Sequence, residues 1–167
     1  MKGRKRALRA LKSGRTFEQE LLPLLQAQFS NVKEKVRLVG FSGNKYIADF
    51  VVEGSVVVEA SSSFRVQQKV TSTLCKFVDL DKNNTEVFGT EDSMSHPLMR
   101  YTLVMKYLPQ EANQNRPIYR QMNAFGYRMF HPTQLQKLKE FVLGTEVPSM
   151  LEMYKASVYG VHGVDLP

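Results

Sequence analysis

The chain has 167 residues, 43% of them apolar, which is enough to bury a substantial core in one domain. Its net charge is +7, and residues 1–15 hold seven basic residues and no acid, so the remainder is electrically balanced. A single cysteine excludes an internal disulfide framework and a cysteine-built zinc site, and no apolar run approaches membrane-spanning length.

The basic start lacks the apolar block of a signal peptide, so a soluble intracellular protein with no membrane partner is expected, either cytoplasmic or virally encoded and acting in the host cytoplasm. The leader, MKGRKRALRALKSGR, reads as an arm over residues 1–15, mobile when free and able to form a short amphipathic helix on a phosphate backbone. Its Lys2, Arg4, Lys5, Arg6, Arg9, Lys12 and Arg15 suit a polyanion, nucleic acid first, through phosphate neutralisation and counterion release. A solubility tail or a nuclear import signal has the same composition.

Thr16 to Gln19 match a T-x-x-Q capping box and predict a helix beginning there, with Phe17, Leu21, Leu24, Leu25 and Phe29 as its apolar stripe. Glu18 falls in the first turn, and Pro23 costs the second turn a hydrogen bond and predicts a kink. Lys35 to Phe41 alternates as a strand and turns at Ser42-Gly43-Asn44 into a hairpin over residues 45–61, whose two strands meet in a two-residue turn at Glu53-Gly54. Asp49 and Glu59 interrupt these apolar strands. Burying an ionised carboxylate without a partner is costly. Either both acids face water, or they lie together as the hard oxygen ligands of a magnesium site. Each strand counts its alternation from the turn, so residue numbering leaves their shared face open.

The serines at 61–63 supply an N-cap for a helix with Val66, Val70, Leu74 and Phe77 on one face and Arg65, Gln68, Lys69, Ser72 and Lys76 on the other. Cys75 is expected to be packed within it, and a polar turn over Asp79 to Asn84 to end it. A short strand is expected at Glu86 to Gly89, an irregular loop at Glu91 to Pro97, and a strand at Arg100 to Leu108 with Tyr101, Leu103 and Met105 on a buried face. An amide-rich loop, Pro109 to Pro117, leads to a short helix from Ile118 to Phe125 that Gly126 stops. A strand at Tyr127 to Phe130 and a helix from Pro132 to Val142 follow, then a helical stretch at Ser149 to Tyr159. This order predicts an α/β domain over residues 16–143, with a mixed central sheet that starts as an antiparallel meander and is flanked by helices, and a C-terminal extension over 144–167. The histidines His96, His131 and His162 have no metal-ligand spacing, and His131 reads as a helix-start residue. In the segment Asn113 to Tyr127, the amides suit adenine edges and Arg116, Arg120 and Arg128 suit guanine or phosphate, although an ordinary surface loop and helix accounts for the same residues.

The order of elements and acids resembles the PD-(D/E)XK nuclease superfamily, with Glu18 in GRTFEQELL on the first helix, Asp49 in IADF on the second strand and Glu59 in VVEAS on the third. RYTLVMKY and FGYRMFHPTQLQKLKEFV resemble its later strand, helix, strand and helix, so the likeness spans about residues 14–143. The resemblance implies a restriction-endonuclease-like fold that hydrolyses DNA phosphodiesters. It also implies magnesium, or manganese in its place, held by Asp49 and Glu59 with Glu18 and the Ala60 carbonyl in support. Small basic homing endonucleases of phages and introns are the most alike, with phage Holliday-junction resolvases next. Both imply double-stranded DNA as partner and a homodimer or higher homo-oligomer.

Two positions depart from the pattern. Ala48 stands where proline is common, and Ser61 stands where E-x-K places a lysine that activates water and stabilises charge on the phosphate. The following helix offers Lys69 as first substitute, with Gln68, Gln67 and Arg65 behind it. The other readings of Ser61 are a one-metal site, an engineered inactive variant, or a natural nucleic-acid-binding protein that does not cut. A basic protein bound to an acidic membrane or protein is the remaining class, and it predicts no salt-sensitive DNA affinity.

Overall fold

The computed structural model describes residues 2–87, 99–108 and 116–144. The elements run α1 (Lys2–Gln28), β1 (Val32–Val39), β2 (Lys45–Val52), β3 (Val56–Ser61), α2 (Val66–Val87), β4 (Arg100–Met105), α3 (Pro117–Ala124), β5 (Arg128–Phe130) and α4 (Leu135–Leu143). They build one five-stranded sheet in the order β1-β2-β3-β4-β5. Its first three strands are antiparallel, and β3, β4 and β5 are parallel. The expected α/β architecture, a mixed sheet opening as a meander and flanked by helices, is therefore the fold. Parallel neighbours need a crossover, and α2 and α3 supply the two that are required.

Both faces of the sheet are covered, which explains why β4 is buried throughout Tyr101 to Met105. On one face Val57, Tyr101, Leu103 and Met105 pack with Val70 and Phe77 of α2 and with Tyr119 and Met122 of α3. On the other, Phe50, Val56, Val58 and Val104 pack with Phe17, Leu21 and Leu25 of α1 and with Leu138 and Phe141 of α4. Spacing of three and four puts these helix residues on one stripe. Leu24 falls off that stripe and is 45% exposed, unlike its neighbours in the predicted set.

Several local expectations are corrected. The first helix begins at Lys2, and Thr16 lies inside it, where its Oγ donates to the Lys12 carbonyl (2.9 Å) instead of capping a terminus. Residues 2–15 are thus a helical continuation of the packed segment, and the helix runs on through the exposed Pro23. The turn between β2 and β3 closes with Ser55 N donating to Val52 O (3.1 Å), leaving three residues between the last paired positions. Glu53 and Gly54 have φ of 51° and 66°, the positive values a mirror-image hairpin turn demands. The helix α2 passes the predicted polar turn and ends at Val87, so Glu86 and Val87 are helical, not the start of a strand. Cys75 is exposed on α2, not packed. His131 does start a helix, its Nδ1 accepting from Thr133 N while its own N–H donates to Gln134 Oε1. The expectations for 88–98, 109–115 and 145–167 lie outside the described residues, as do the side chains of Lys2, Arg4, Lys5 and Arg6. Among the described residues no helix is long and apolar enough to cross a membrane.

Asp79 shows why α2 extends. Its carboxylate accepts from Ser42 N (2.8 Å), Ser42 Oγ (2.6 Å) and Tyr46 Oη (2.8 Å), tying the β1–β2 turn to the helix. These donors hold its carboxyl below the usual range. Gly40 is the neighbour that makes room, since a Cβ there would stand 2.0 Å from Asp79 Oδ2 and 2.9 Å from Tyr46 Cε2. We expect Gly40→Ala to lower stability by about 1–3 kcal/mol, read as a lower urea midpoint at unchanged slope. An unchanged midpoint would mean that the turn and helix yield freely.

Candidate functional site

The site begins with a break in strand alternation. Along β1, Val32 packs on the α1 face whereas Val36 and Leu38 pack on the α2 face; along β2, Tyr46 and Ala48 pack on the α2 face and Phe50 and Val52 on the α1 face. Residues an even number apart in a strand share a face, so each strand changes phase once. The changes occur at Lys35 and Asp49, which stand opposite each other between the pairs Glu34↔Phe50 and Val36↔Ala48. Lys35 absorbs the change with φ of 50°. For a residue with a Cβ that left-handed conformation costs roughly 1–2 kcal/mol.

A gap opens at the same level between β2 and β3. Their ladder stops at Phe50↔Val58, and the next residues along are Asp49 and Glu59. Ala60 N donates to Asp49 Oδ2 (2.9 Å), so a side chain takes a bond that the ladder would otherwise use. Glu59 occupies the alternation position of Val57, toward α2, and accepts from Lys76 Nζ (2.7 Å), which also donates to Ile47 O (3.0 Å). Glu18 arrives from α1 on the opposite face, and Lys35 Nζ bridges it to the strands, donating to Glu18 Oε2 (2.5 Å) and Asp49 Oδ1 (3.2 Å). The gap lets acids from both sides of the sheet share one cavity of about 860 Å³, lined by Glu18, Lys35, Asp49, Glu59, Ala60 and Ser61. Its outer wall is basic, with Arg9 and Arg15 from α1, Arg65 just before α2 and Lys69 in its first turn.

No family model, curated protein or solved structure matches this chain. The geometry and its electrostatics therefore carry the functional reading.

Asp49 is the electrostatic centre of the group. Burial alone would raise its pKa, but the Ala60 N–H and Lys35 outweigh burial and hold the carboxyl below the usual range. Burial, and then the charge on Asp49, push Glu59 up to about 7 against the opposing pull of Lys76. Burial also raises Glu18, with Lys35 offsetting part of the effect and Asp49 adding to it. Lys35 in turn is held above its usual value, because its two acids outweigh its own partial burial. Three carboxyl groups thus share two ammonium groups.

Of the residues singled out in the sequence, Glu18, Asp49 and Glu59 meet in the cavity, and Arg9, Arg15, Arg65 and Lys69 line it. Lys12 is exposed on α1, and Gln67 and Gln68 are exposed on α2 outside the lining. Arg116 and Arg120 are exposed at the start of α3, also outside it. The ammonium groups in contact with the acids come from Lys35 and Lys76. Sequence reasoning passed over both, reading Lys35 only as a strand's first residue and Lys76 only as part of a polar helix face. Ser61 is buried in the cavity wall, its Oγ accepting from Ser63 N (3.2 Å).

The Lys76–Glu59 pair gives a testable pH dependence. Glu59 has a folded pKa raised to about 7 from an ordinary 4.5, so its ionisation opposes folding above pH 7 and the opposition fades as pH falls through 7. Removing the ammonium strands a buried carboxylate and raises its pKa further. We expect Lys76→Met to cost about 2–4 kcal/mol at pH 8 and much less at pH 5, where Glu59 is neutral with or without its partner. Urea unfolding at the two pH values checks this, and an equal loss at both would remove Glu59 from the explanation.

Proposed function

We propose that the protein is a metal-dependent endonuclease that hydrolyses phosphodiester bonds in DNA. The observation that carries this reading is the convergence of Glu18, Asp49 and Glu59 on one cavity whose rim is basic. Carboxylates alone repel a phosphate. Acids at the floor of a cation-lined groove suit a divalent ion beneath a bound backbone.

The donor set fits such an ion. Asp49 and Glu59 are adjacent and partly or wholly buried, and burial, with the charge on Asp49 added to it, pushes Glu59 up to about 7. Hard carboxylate oxygens under mutual repulsion favour magnesium or manganese over softer metals. Asp49 and Glu59 would hold the ion, with Glu18 in support, and the ion would supply Lewis-acid stabilisation and an acidified water. Among the described residues no group of three or more His, Cys, Asp or Glu side chains is arranged as a ready metal centre, and Lys35 bridges Glu18 and Asp49. We assign Lys35 the role of the lysine that Ser61 replaces: its ammonium reaches the same carboxylates from β1. Beside a bound phosphate it stabilises developing negative charge and orients the attacking water. Double-stranded DNA remains the proposed substrate, cut in a site-specific homing fashion or at four-way junctions, by a homodimer or larger homo-oligomer, because one such site cuts one strand.

The same bridge favours a second reading, a nucleic-acid-binding protein that does not cut, with Lys35 and Lys76 permanently neutralising the acids. Incubation with supercoiled plasmid and with a four-way junction, in magnesium and in EDTA, separates the two. Nicking or junction resolution in magnesium alone supports the enzyme. Tight, salt-sensitive binding without cleavage in either condition supports the binder.

A further inference from the structure

Beyond the carboxylates, the cavity mouth carries an exposed aromatic pair that neither core nor metal chemistry uses. The parallel strands β3 and β4 end level with each other at Ser61↔Met105, and Lys106 N donates to Ser61 O (3.0 Å) just past that point. A few residues farther on, each chain segment presents a ring, Phe64 after β3 and Tyr107 after β4. The two rings stack with centroids 4.1 Å apart and planes 24° from parallel. Phe64 is 78% exposed and Tyr107 40% exposed, so the stack holds no core together and Phe64 offers an uncovered face to solvent.

Its surroundings are cationic. Phe64 lines the same cavity as Arg9, Arg15, Arg65 and Lys69, and Lys106 Nζ stands 5.9 Å from the Tyr107 ring centroid. An aromatic face set among guanidinium and ammonium groups is the combination that holds unpaired nucleic acid: cations track the phosphates while a base continues the stack. A base paired inside a duplex has both faces covered and gains nothing from it. An apolar protein partner would find the cations unmatched. The location is also the one expected of a ligand site in an α/β sheet, at the carboxyl ends of parallel strands.

We propose that Phe64, backed by Tyr107, is a stacking platform for an unpaired base, so that the site's substrate carries single-stranded nucleotides next to the scissile position, as at a flap or splayed end. This rests on the nucleic-acid reading of the cavity and selects, within it, structured over uninterrupted duplex DNA.

Binding in EDTA tests the platform separately from cleavage. The probes are one oligonucleotide carrying 2-aminopurine, used single-stranded and as a blunt duplex, with fluorescence and anisotropy as readouts. The single strand is expected to bind with quenching of the 2-aminopurine. Phe64→Ala should weaken single-strand binding by about tenfold, a loss of one stacked base, and leave duplex binding within about twofold. Phe64→Trp should restore both affinity and quenching, which a merely structural role would not. Equal weakening on both probes, or no weakening on the single strand, overturns the platform. A protein that shows the Phe64 effect yet never cleaves would lose the endonuclease reading and keep the platform.

Discussion

Asp49→Asn is expected to lower metal-dependent DNA cleavage by at least about 10³-fold, roughly 4 kcal/mol of transition-state stabilisation, with little loss of DNA affinity. The substitution is nearly isosteric, and an amide oxygen can still accept from Ala60 N as Asp49 Oδ2 does (2.9 Å). What disappears is the charge that both raises Glu59 and holds Lys35. An amide is a poor ligand for magnesium, so the ion would lose its central donor. Cleavage of plasmid and junction at saturating magnesium measures the effect, with thermal unfolding as a control on the fold. Two outcomes would sink the assignment. One is full activity in the variant. The other is a loss of activity matched by a loss of DNA binding, which would make Asp49 a folding residue.

Lys35 provides the second large effect, and it separates chemistry from strain. Lys35→Met keeps most of the side-chain volume but removes the bridge between Glu18 and Asp49, and we expect cleavage to fall about 10²-fold, the scale of losing one charge-stabilising donor. Lys35→Gly loses the same bridge but accepts φ of 50° without a Cβ penalty. It should therefore lose activity as Lys35→Met does, yet be about 1 kcal/mol more stable than that variant. A long side chain held at positive φ in mid-strand persists only where its surroundings over-determine it, and the two acids are what hold it here. If Lys35→Met cleaves normally, the lysine is structural and the role left by Ser61 returns to Lys69, which also lines the cavity.

Much of the architecture was legible because it rests on periodicity. Val70 and Phe77, and Phe17, Leu21, Leu25 and Phe29, recur at helical spacing and are the residues that became buried. Tyr101, Leu103 and Met105 alternate and are buried together. The helix boundaries were less legible. Thr16 followed by Gln19 satisfies a capping pattern, yet the helix runs straight through it, since the alanines and leucines of the leader are helix formers and override a local start signal. Asp79 looked like the end of α2 because a polar residue favours a turn. Its donors lie 33 and 37 residues back along the chain, where no local pattern reaches.

Composition and spacing were enough to establish a mixed α/β sheet, an acid on the first helix and on each of the second and third strands, and a concentration of positive charge at the start of the chain. They could do so because apolar periodicity and charge are properties of neighbouring residues. Whether Asp49 and Glu59 meet was a matter for the tertiary structure alone. The answer depends on a change of strand phase at Lys35 and Asp49, on a hairpin ladder that stops one pair short of the acids, and on ammonium groups brought in from β1 and α2. Each of these comes from packing between distant segments, which is why a lysine at the edge of the meander, and not one beside Glu59, stands against the acids.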